Sequence, residues 1–356
     1  MVMSYISYYQ RTVDFKQHKS RRIILTEQGH RAERHIPVLL QPVLAGLAPL
    51  AGAKVIDGTF GAGGYTRALL NAGAQVIALD RDPYAISAGQ SLVDEFFPRL
   101  RLVQMEFSKL ECVVEEKVDA VILDIGVSSM QLDEAKRGFS FQRDGPLDMR
   151  MAQTGFTASD VVNHLKSSEL ARIFKILGEE RYAGRIARMI EKRRSVQPFL
   201  RTSDLAHAIE VLVGHKSSER IHPATRVFQA LRIYVNDEMG ELARGLFAAE
   251  RILKPGGRLG VVSFHSLEDR MVKRFFSARS GEHVRSRYLP EIKKVPAIFS
   301  PLFKGVITAN QEELQQNPRS RSAKLRIGVR TQAKSPAADM KLFSLAEIPR
   351  FEGSKK

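Results

Sequence analysis

Three acidic residues, Asp57, Asp80 and Asp124, each end a short apolar run. Asp57 is followed by a loop that contains four glycines between positions 58 and 64. Glycine admits positive φ and lets backbone amides approach a ligand closely, and the helix expected after the loop has an N-terminus that favours polar or anionic groups. Asp80 follows Gly61 by nineteen residues, a spacing typical of an acid that binds a ribose diol. The pattern indicates a site for a nucleotide-containing cofactor.

The glycine loop is incomplete as a dinucleotide fingerprint. Thr66 occupies the position of the third glycine in the pattern GxGxxG. Two interpretations therefore stay open for this segment: a cofactor loop, and a tight strand-to-helix turn that binds nothing.

The apolar runs that end in these acids alternate with helical patterns. Strands are predicted at residues 54–57, 75–79, 100–105 and 118–123. Such alternation predicts an α/β fold with a Rossmann-like, doubly wound and mostly parallel sheet. Ligands of these sheets bind beyond the carboxyl ends of the strands. Asp57, Asp80, Phe107 and Asp124 all fall at those ends.

Residues 133–222 lack strand patterns and show capped amphipathic helices instead, with Leu170, Ile173, Phe174 and Leu177 on one face. One long helix, predicted from Phe228 to about residue 253, leads back into the sheet. We predict a discontinuous domain of residues 35–132 and 223–330, and an inserted helical substrate-binding domain of residues 133–222. A flexible basic arm, 1–34, and a loose tail, 331–356, complete the predicted organisation.

The composition indicates a globular protein with an affinity for polyanions. The 356 residues are 44% hydrophobic, and 55 basic against 39 acidic residues give a formal charge of +16. Such a charge attracts nucleic acid, although a merely soluble basic protein is the alternative. The single cysteine, Cys112, excludes a disulfide framework, and the histidine spacing predicts no metal site. No run approaches the roughly 18 apolar residues of a membrane span, and we expect a cytoplasmic protein without membrane contacts.

Four features occur together at the predicted strand ends: the glycine loop after strand one, acids at the ends of strands one and two, an aromatic residue after strand three and an acid after strand four. This combination of features resembles the class I S-adenosylmethionine-dependent methyltransferases more than it resembles dehydrogenases. The resemblance implies that the loop packs against the amino-acid part of the cofactor. It also implies that Asp80 holds the ribose hydroxyls and that Phe107 lies against the adenine.

A closer resemblance rests on motifs distributed over roughly residues 35–330. The motifs are Asp57-Gly-Thr-Phe-Gly-Ala-Gly-Gly, Asp80-Arg-Asp-Pro, Asp124-Ile-Gly-Val-Ser-Ser-Met-Gln-Leu-Asp, Arg137-Gly-Phe-Ser-Phe, Asp144-Gly-Pro-Leu-Asp-Met-Arg-Met, His222-Pro-Ala-Thr-Arg-Val-Phe-Gln-Ala-Leu-Arg-Ile, Ser263-Phe-His-Ser-Leu-Glu-Asp-Arg and Asn317-Pro-Arg-Ser-Arg-Ser-Ala-Lys-Leu-Arg. With these motifs the chain resembles the bacterial family that methylates the N4 atom of a cytosine in the decoding region of 16S ribosomal RNA.

The family resemblance implies a set of cofactor contacts and a substrate. The partner implied is 16S ribosomal RNA within the small ribosomal subunit, and the oligomeric state is left open, a homodimer included. The family commonly carries histidine where this chain has Tyr65, so only a backbone contact is implied there. The implied contacts to S-adenosylmethionine are Gly63, Gly64, Tyr65, Asp80, Phe107, Asp124 and Gln131.

Direct transfer to an exocyclic nitrogen needs an in-line amine and an acceptor for its proton or hydrogen bond. Asp124 is the first candidate for that acceptor, and a purely cofactor-binding role is its alternative. His265, Glu268 and Asp269 form a second set, for which helix capping by Ser266 with Asp269 is the alternative. Capping is the interpretation that we favour for Asp269.

Several basic and acidic residues of the insert are candidates for contact with RNA. Asp148 and Arg150 either shape the substrate pocket or pair with each other. The cationic helix face that carries Arg185, Arg188 and Arg193 suits a phosphate backbone, and a solvated face is the alternative.

Three other functions share parts of this pattern. An NAD-dependent oxidoreductase would share the fold and Asp80, but Thr66 and the inserted domain argue against it. A non-enzymatic RNA-binding or assembly protein could retain the cofactor fold. A small-molecule methyltransferase fits the core but leaves the basic helical insert unexplained.

Overall fold

The computed structural model describes residues 37–214, 221–281, 296–345 and 347–351. The predicted basic arm, residues 1–34, lies outside the described residues. The residues from His35 onward form one compact unit. None of the helices in the described ranges is long and apolar enough to cross a membrane.

Seven strands form a single sheet within the described residues. They are β1 (Lys54–Asp57), β2 (Gln75–Asp80), β3 (Leu100–Gln104), β4 (Val118–Asp124), β5 (Leu253–Ser263), β6 (Phe299–Pro301) and β7 (Lys324–Arg330). Their order across the sheet is β3-β2-β1-β4-β5-β7-β6. Strands β1 to β5 pair in parallel, whereas β7 runs antiparallel to both β5 and β6. The doubly wound, Rossmann-like α/β fold predicted from the sequence is therefore confirmed.

The order of the strands determines where a ligand can bind. The chain moves outward from β1 to β3 and then returns to place β4 on the other side of β1. A crevice opens where the direction of winding reverses, between the loops that follow β1 and β4. The glycine loop is the first of these loops, and Asp124, the last residue of β4, comes directly before the second.

Helices cover both faces of the sheet and form the insert. Those that flank the first strands are α1 (Leu40–Leu47), α2 (Gly64–Asn71), α3 (Pro83–Ala88), α4 (Gln90–Glu95) and α5 (Ser129–Asp133). The insert contains α6 (Ala158–His164), α7 (Ser167–Leu177), α8 (Ala183–Arg194) and α9 (Thr202–Val213). The remaining α-helices of the described ranges are α10 (Thr225–Val235), α11 (Glu238–Ile252), α12 (Ser266–Arg279) and α13 (Gln311–Gln316).

The apolar faces of the insert pack as the periodicity predicts. Leu170, Ile173 and Phe174 on α7 are completely buried, as are Leu205 and Ile209 on α9. These residues belong to the same hydrophobic cluster that covers one face of the sheet. The insert therefore shares its core with the sheet, and the domain boundaries at residues 133 and 222 stay a prediction.

The single helix predicted from Phe228 to about residue 253 is wrong, because the chain breaks between α10 and α11. Asp237 adopts the left-handed conformation, with φ of 48°. The buried side chain of Asn236 donates to the Met149 carbonyl at 2.7 Å and accepts from the Met151 amide at 2.8 Å. The apolar periodicity continues through the break, since both helices pack on the same core.

The tail is also more ordered than expected. Phe343 is 1% exposed and its ring packs against Phe247 and Phe275. The Tyr234 hydroxyl donates to the Pro349 carbonyl at 2.8 Å. The expectation of a loose tail is therefore wrong for residues 331–345 and 347–351. Single contacts of widely spaced residues fix this segment on the core. Such residues form no helical or strand-like periodicity, so the sequence pattern does not show them.

Candidate active site

The paired glycines of the loop are required by packing inside the protein. Gly63 has φ of 78°, and a Cβ added there would lie 2.9 Å from the Phe60 ring. A Cβ at Gly64 would lie 2.4 Å from Cγ of Pro37. Gly61 differs, because it has φ of 54° and no neighbour within 3.8 Å of an added Cβ. Of these three glycines, Gly61 is the one with open space where a side chain would be, and its amide donates to Asp80 at 2.8 Å.

The buried carboxylate of Asp57 stabilises this loop through hydrogen bonds to Thr59 and Thr66. Asp57 is fully buried, and its carboxylate accepts from the Thr66 hydroxyl at 2.6 Å and the Thr59 amide at 3.1 Å. The Thr59 hydroxyl in turn accepts from the Asp124 amide at 2.7 Å, which connects the loop to the end of β4. Burial raises the pKa of Asp57 from its usual 3.8 to about 6. Thr66 is therefore a structural donor to a buried acid, and the site does not need a third glycine.

Asp80 has the position expected of a ribose-binding acid and an additional structural role. One carboxylate oxygen accepts from the Gly61 amide and the other from the Asp82 amide, both at 2.8 Å. Burial raises the pKa of Asp80. Each oxygen keeps a further lone pair, because a carboxylate has about four acceptor positions. Asp80 can therefore shape the glycine loop and bind a diol at the same time.

The aromatic residues of the site are held on rigid elements. Phe107 begins a 3₁₀ helix, Phe107–Val113, and its ring lies so close to Gly245 on α11 that a Cβ there would be 2.4 Å away. The Tyr65 side chain is buried and its hydroxyl donates to the Val38 carbonyl. Burial also raises the pKa of Tyr65 well above its usual range. Tyr65 therefore ties the start of α2 to the segment that precedes α1.

Gln131 belongs to a polar network that the sequence does not reveal. Its amide nitrogen donates to Asp82 at 2.8 Å, and its oxygen accepts from the Ser128 amide at 3.1 Å. Arg137 forms a buried ion pair with Asp82 at 2.7 Å and donates to the carbonyls of residues 150 and 151, both at 3.0 Å. This network joins the ends of β2 and β4 to the insert. Its partners are up to 69 residues apart (82 and 151) in the chain, so spacing alone could not identify it.

Asp124 has an unusual environment at the end of β4. Its Oδ1 atom is buried and has no hydrogen-bond partner among the described residues. Burial, together with the nearby charges of Asp57 and Glu268, raises the pKa of Asp124 well above its usual range. A buried oxygen without a partner is rare in folded proteins and indicates that a bound ligand completes the site.

The predicted cofactor residues converge on one cavity at the carboxyl ends of the strands. Gly64, Tyr65, Asp80, Phe107, Asp124 and Gln131 line it, whereas Gly63 lies behind the loop and is not part of the lining. Three lining residues carry buried polar atoms without partners among the described residues: Asp124 Oδ1, Glu241 Oε2 and Arg81 Nε. Buried polar atoms without partners have lost their hydrogen bonds to water, which costs free energy. The two carboxylate oxygens would accept from a ligand and the Arg81 Nε–H would donate to it, so the cavity suits a ligand that has both donors and acceptors. The residues therefore fit a nucleoside cofactor.

His265 and Glu268 form the cap of α12, and neither lines the cavity. The Glu268 carboxylate accepts from the Phe264 amide at 2.8 Å and lies 2.8 Å from His265 Nε2. The expected cap of Ser266 with Asp269 is wrong by one residue. Asp269 instead binds Arg326 at 2.8 Å and Lys324 at 3.1 Å.

Glu238 approaches this cap and completes a group of three potential metal ligands. Ligand atoms of Glu238, His265 and Glu268 lie within 4.8 Å of one another. However, the guanidinium of Arg232 binds both carboxylate oxygens of Glu238, at 2.8 and 2.9 Å. The arginine balances the charge that a cation would otherwise neutralise.

Asp148 and Arg150 pair with each other at 2.7 Å, as one of the two interpretations predicted. Neither lines the cavity, although the adjacent Met151 does. The pair lies in the segment between α5 and α6. In the same segment, Met151 forms part of the cavity wall.

The cationic helix α8 contains residues with different roles. Arg193 pairs with Asp204 and lies 4.4 Å over the Phe199 ring, so its contacts stabilise the insert. Arg185 and Arg188 are exposed. These two therefore remain the candidates for contact with a phosphate backbone.

Comparison with known proteins identifies the family. The chain is similar, over 83% of its length and 99% of the other chain, to a putative methyltransferase from Streptococcus mutans solved in complex with SAH, with a TM-score of 0.38 and 10% identity. It is 86% identical to "Ribosomal RNA small subunit methyltransferase H" of Bartonella henselae over 97% of this chain and 99% of that protein. The protein of the same name from Brucella anthropi is 62% identical over 90% of this chain and 95% of its own length.

A family profile matches most of the chain as well. The profile of the MraW methylase family covers residues 32–331. This match confirms the expectations of a methyltransferase and of S-adenosylmethionine as its cofactor. On both the profile and the relatives, the chain belongs to the MraW methylase family.

Proposed function

We propose that this chain transfers the methyl group of S-adenosylmethionine to the exocyclic N4 atom of a cytosine in the decoding region of 16S ribosomal RNA. The reaction takes place in the cytoplasm on the small ribosomal subunit. The name of the Bartonella relatives supports the choice of small-subunit ribosomal RNA as substrate. The choice of the N4 atom rests on the resemblance of the motifs to the N4-methylating family, and a buried acceptor in the cavity supports it.

The observation that carries the proposal is the buried, unpartnered carboxylate oxygen of Asp124. When bound, the cofactor supplies an electrophilic methyl group on a positively charged sulfur. Asp124 is the last residue of β4, and it lines the same cavity as the glycine loop. Its Oδ1 atom accepts a hydrogen bond from the cytosine amine and holds the amine nitrogen in line with the methyl group. Positioning of this kind can lower a barrier by roughly 7–11 kcal/mol.

Asp124 also accepts the proton that the amine releases. The nitrogen forms a bond to the methyl carbon as the bond between carbon and sulfur breaks, and the proton moves from nitrogen to the carboxylate. The raised pKa of Asp124 makes the group a stronger base than an ordinary carboxylate. Turnover should therefore rise with pH through the raised pKa, since only the ionised form accepts a proton.

The position of the cysteine argues against methylation at carbon 5 of the ring. That reaction needs a cysteine that adds covalently to the base. The only cysteine of the chain, Cys112, is exposed on the 3₁₀ helix Phe107–Val113 and does not line the cavity. Direct transfer to the amine needs no such nucleophile.

The exposed cations of α8 support RNA as the partner. Arg185, Arg188 and Lys192 are all exposed on one helix. Exposed cations on a protein with a formal charge of +16 attract a phosphate backbone. We propose that this face binds RNA next to the target nucleotide.

The proposal is tested by nucleoside mass spectrometry of ribosomal RNA from cells that lack the protein. N4-methylcytidine should be lost and should return when the wild-type gene is restored. An Asp124→Asn variant should fail to restore the modified nucleoside, yet should bind S-adenosylhomocysteine in calorimetry. A Glu111→Gln variant replaces a carboxylate that lies outside the cavity and pairs with Arg251, and it should restore the modified nucleoside.

Two outcomes would contradict the proposal. Unchanged N4-methylcytidine in the deletion strain would exclude this substrate and leave an RNA-binding or assembly role. Normal turnover of Asp124→Asn at saturating cofactor would exclude Asp124 as the proton acceptor.

A further inference from the structure

Glu241 on α11 uses only one of its two carboxylate oxygens in contacts within the described part of the chain. Its Oε1 atom accepts from the Ser108 hydroxyl at 3.1 Å and from Arg244 at 2.8 Å. Its Oε2 atom is buried and has no hydrogen-bond partner among the described residues. The side chain is 13% exposed and lines the cofactor cavity. An ionised carboxylate offers hydrogen-bond acceptors only.

The packing of α11 places Glu241 next to Phe107. Gly245 follows Glu241 by four residues, so both lie on the same face of the helix. The Phe107 ring packs against that face, because its Cδ2 atom would lie only 2.4 Å from a Cβ added at Gly245. The hydrogen bond from Ser108, the residue after Phe107, brings Glu241 to the same end of the cavity.

The order of the strands shows which part of the cofactor reaches this end. The glycine loop follows β1, Asp80 ends β2, and Phe107 lies shortly after β3, which is the edge of the sheet beyond β2. A ligand whose ribose binds Asp80 therefore directs its base toward Phe107. The base of S-adenosylmethionine is adenine, in which the exocyclic N6 amine is the one hydrogen-bond donor.

We propose that Glu241 Oε2 accepts a hydrogen bond from the adenine N6 amine and makes the site selective for adenine. An unpartnered acceptor has only this donor available on the base. The neighbouring carboxylate of Glu106 also lines the cavity, but neither of its oxygens is buried without a partner. The buried Nε atom of Arg81 is a donor and cannot bind the amine. The proposal rests on S-adenosylmethionine as the cofactor.

The test compares two ligands by calorimetry on the full chain. One is S-adenosylhomocysteine, and the other is its purine analogue, in which hydrogen replaces the amine. Wild-type protein should bind the adenine form roughly ten- to a hundredfold more tightly, as expected for a hydrogen bond to a charged group. A Glu241→Leu variant should bind both forms with nearly equal affinity. A Glu241→Gln variant keeps an acceptor oxygen and should show an intermediate preference.

Glu111→Gln is the control, because Glu111 pairs with Arg251 and does not line the cavity, and it should keep the full preference for adenine. The proposal is overturned if wild-type protein binds the two ligands equally. It is also overturned if the Glu241 variants lose the same factor for both ligands, because Oε2 would then bind the ribose or act on the fold. Should Glu241→Leu not fold, the preference of Glu241→Gln decides. If wild-type protein binds neither ligand, the cofactor assignment fails, which is a separate result.

Discussion

The buried charge of Asp57 should reduce the stability of the protein near neutral pH. Raising the pKa of this carboxyl from 3.8 to about 6 corresponds to about 3 kcal/mol, at roughly 1.4 kcal/mol for each tenfold change in proton affinity. The folded-state pKa is the higher one, so the contribution to stability is fully present below the unfolded pKa. It is lost as the pH rises through the folded pKa of about 6.

An Asp57→Asn variant removes the charge and keeps the shape. Asparagine can accept from the Thr59 amide with its oxygen and donate to the Thr66 hydroxyl, which is free to rotate. The difference in unfolding free energy between variant and wild type should shift in favour of the variant by about 2 kcal/mol between about pH 4.5 and pH 8. Comparing the two pH values cancels any constant cost of the altered hydrogen bonds.

The measurement is urea unfolding followed by circular dichroism at both pH values. Asp94→Asn on α4 is the control, because Asp94 is exposed, and its replacement should change stability by less than about 0.5 kcal/mol at either pH. The reasoning is refuted if the difference between Asp57→Asn and wild type is the same at both pH values. That result would mean that the buried carboxylate is ionised without cost.

Three further predictions follow from the site and the core. Asp80→Ala should weaken binding of S-adenosylhomocysteine at least tenfold in calorimetry, since the ribose acceptor is lost, and unchanged affinity would remove the ribose role. Charge reversal of Arg185 and Arg188 should weaken RNA binding and reduce the slope of log affinity against log salt by roughly 0.7 for each lost phosphate contact, whereas an unaltered slope would assign this face to solvation. Phe343→Ala should lower the free energy of unfolding by about 3–5 kcal/mol in urea titrations, and a loss below about 1 kcal/mol would show that the tail adds little to the core.

The residues that the sequence identified correctly belong to local patterns. Apolar runs that end in acids predicted strands β1, β2 and β4 together with the position of Asp57, Asp80 and Asp124 at their ends. That inference works because the carboxyl ends of parallel strands meet at one edge of the sheet, so adjacency in space follows from local spacing. The fold class and the methyltransferase family followed from the same segments.

The residues that the sequence could not identify depend on distant partners. The hydrogen bond of Tyr65 to Val38 spans 27 residues, and the ion pair of Arg137 with Asp82 spans 55. The break at Asn236 is stabilised by backbone atoms 85 and 87 residues away. The periodicity of apolar residues carries no information about such contacts, because they depend on how the helices and strands pack against one another.

The glycine loop shows both kinds of information. Its composition alone indicated a cofactor site, and Thr66 looked like a missing glycine. Only the tertiary structure decided that Thr66 donates to the buried Asp57, and that Pro37 leaves no room for a side chain at Gly64. The physical reason is that local sequence determines which conformations a segment can adopt, whereas burial beside residues from elsewhere determines which side chains that segment needs.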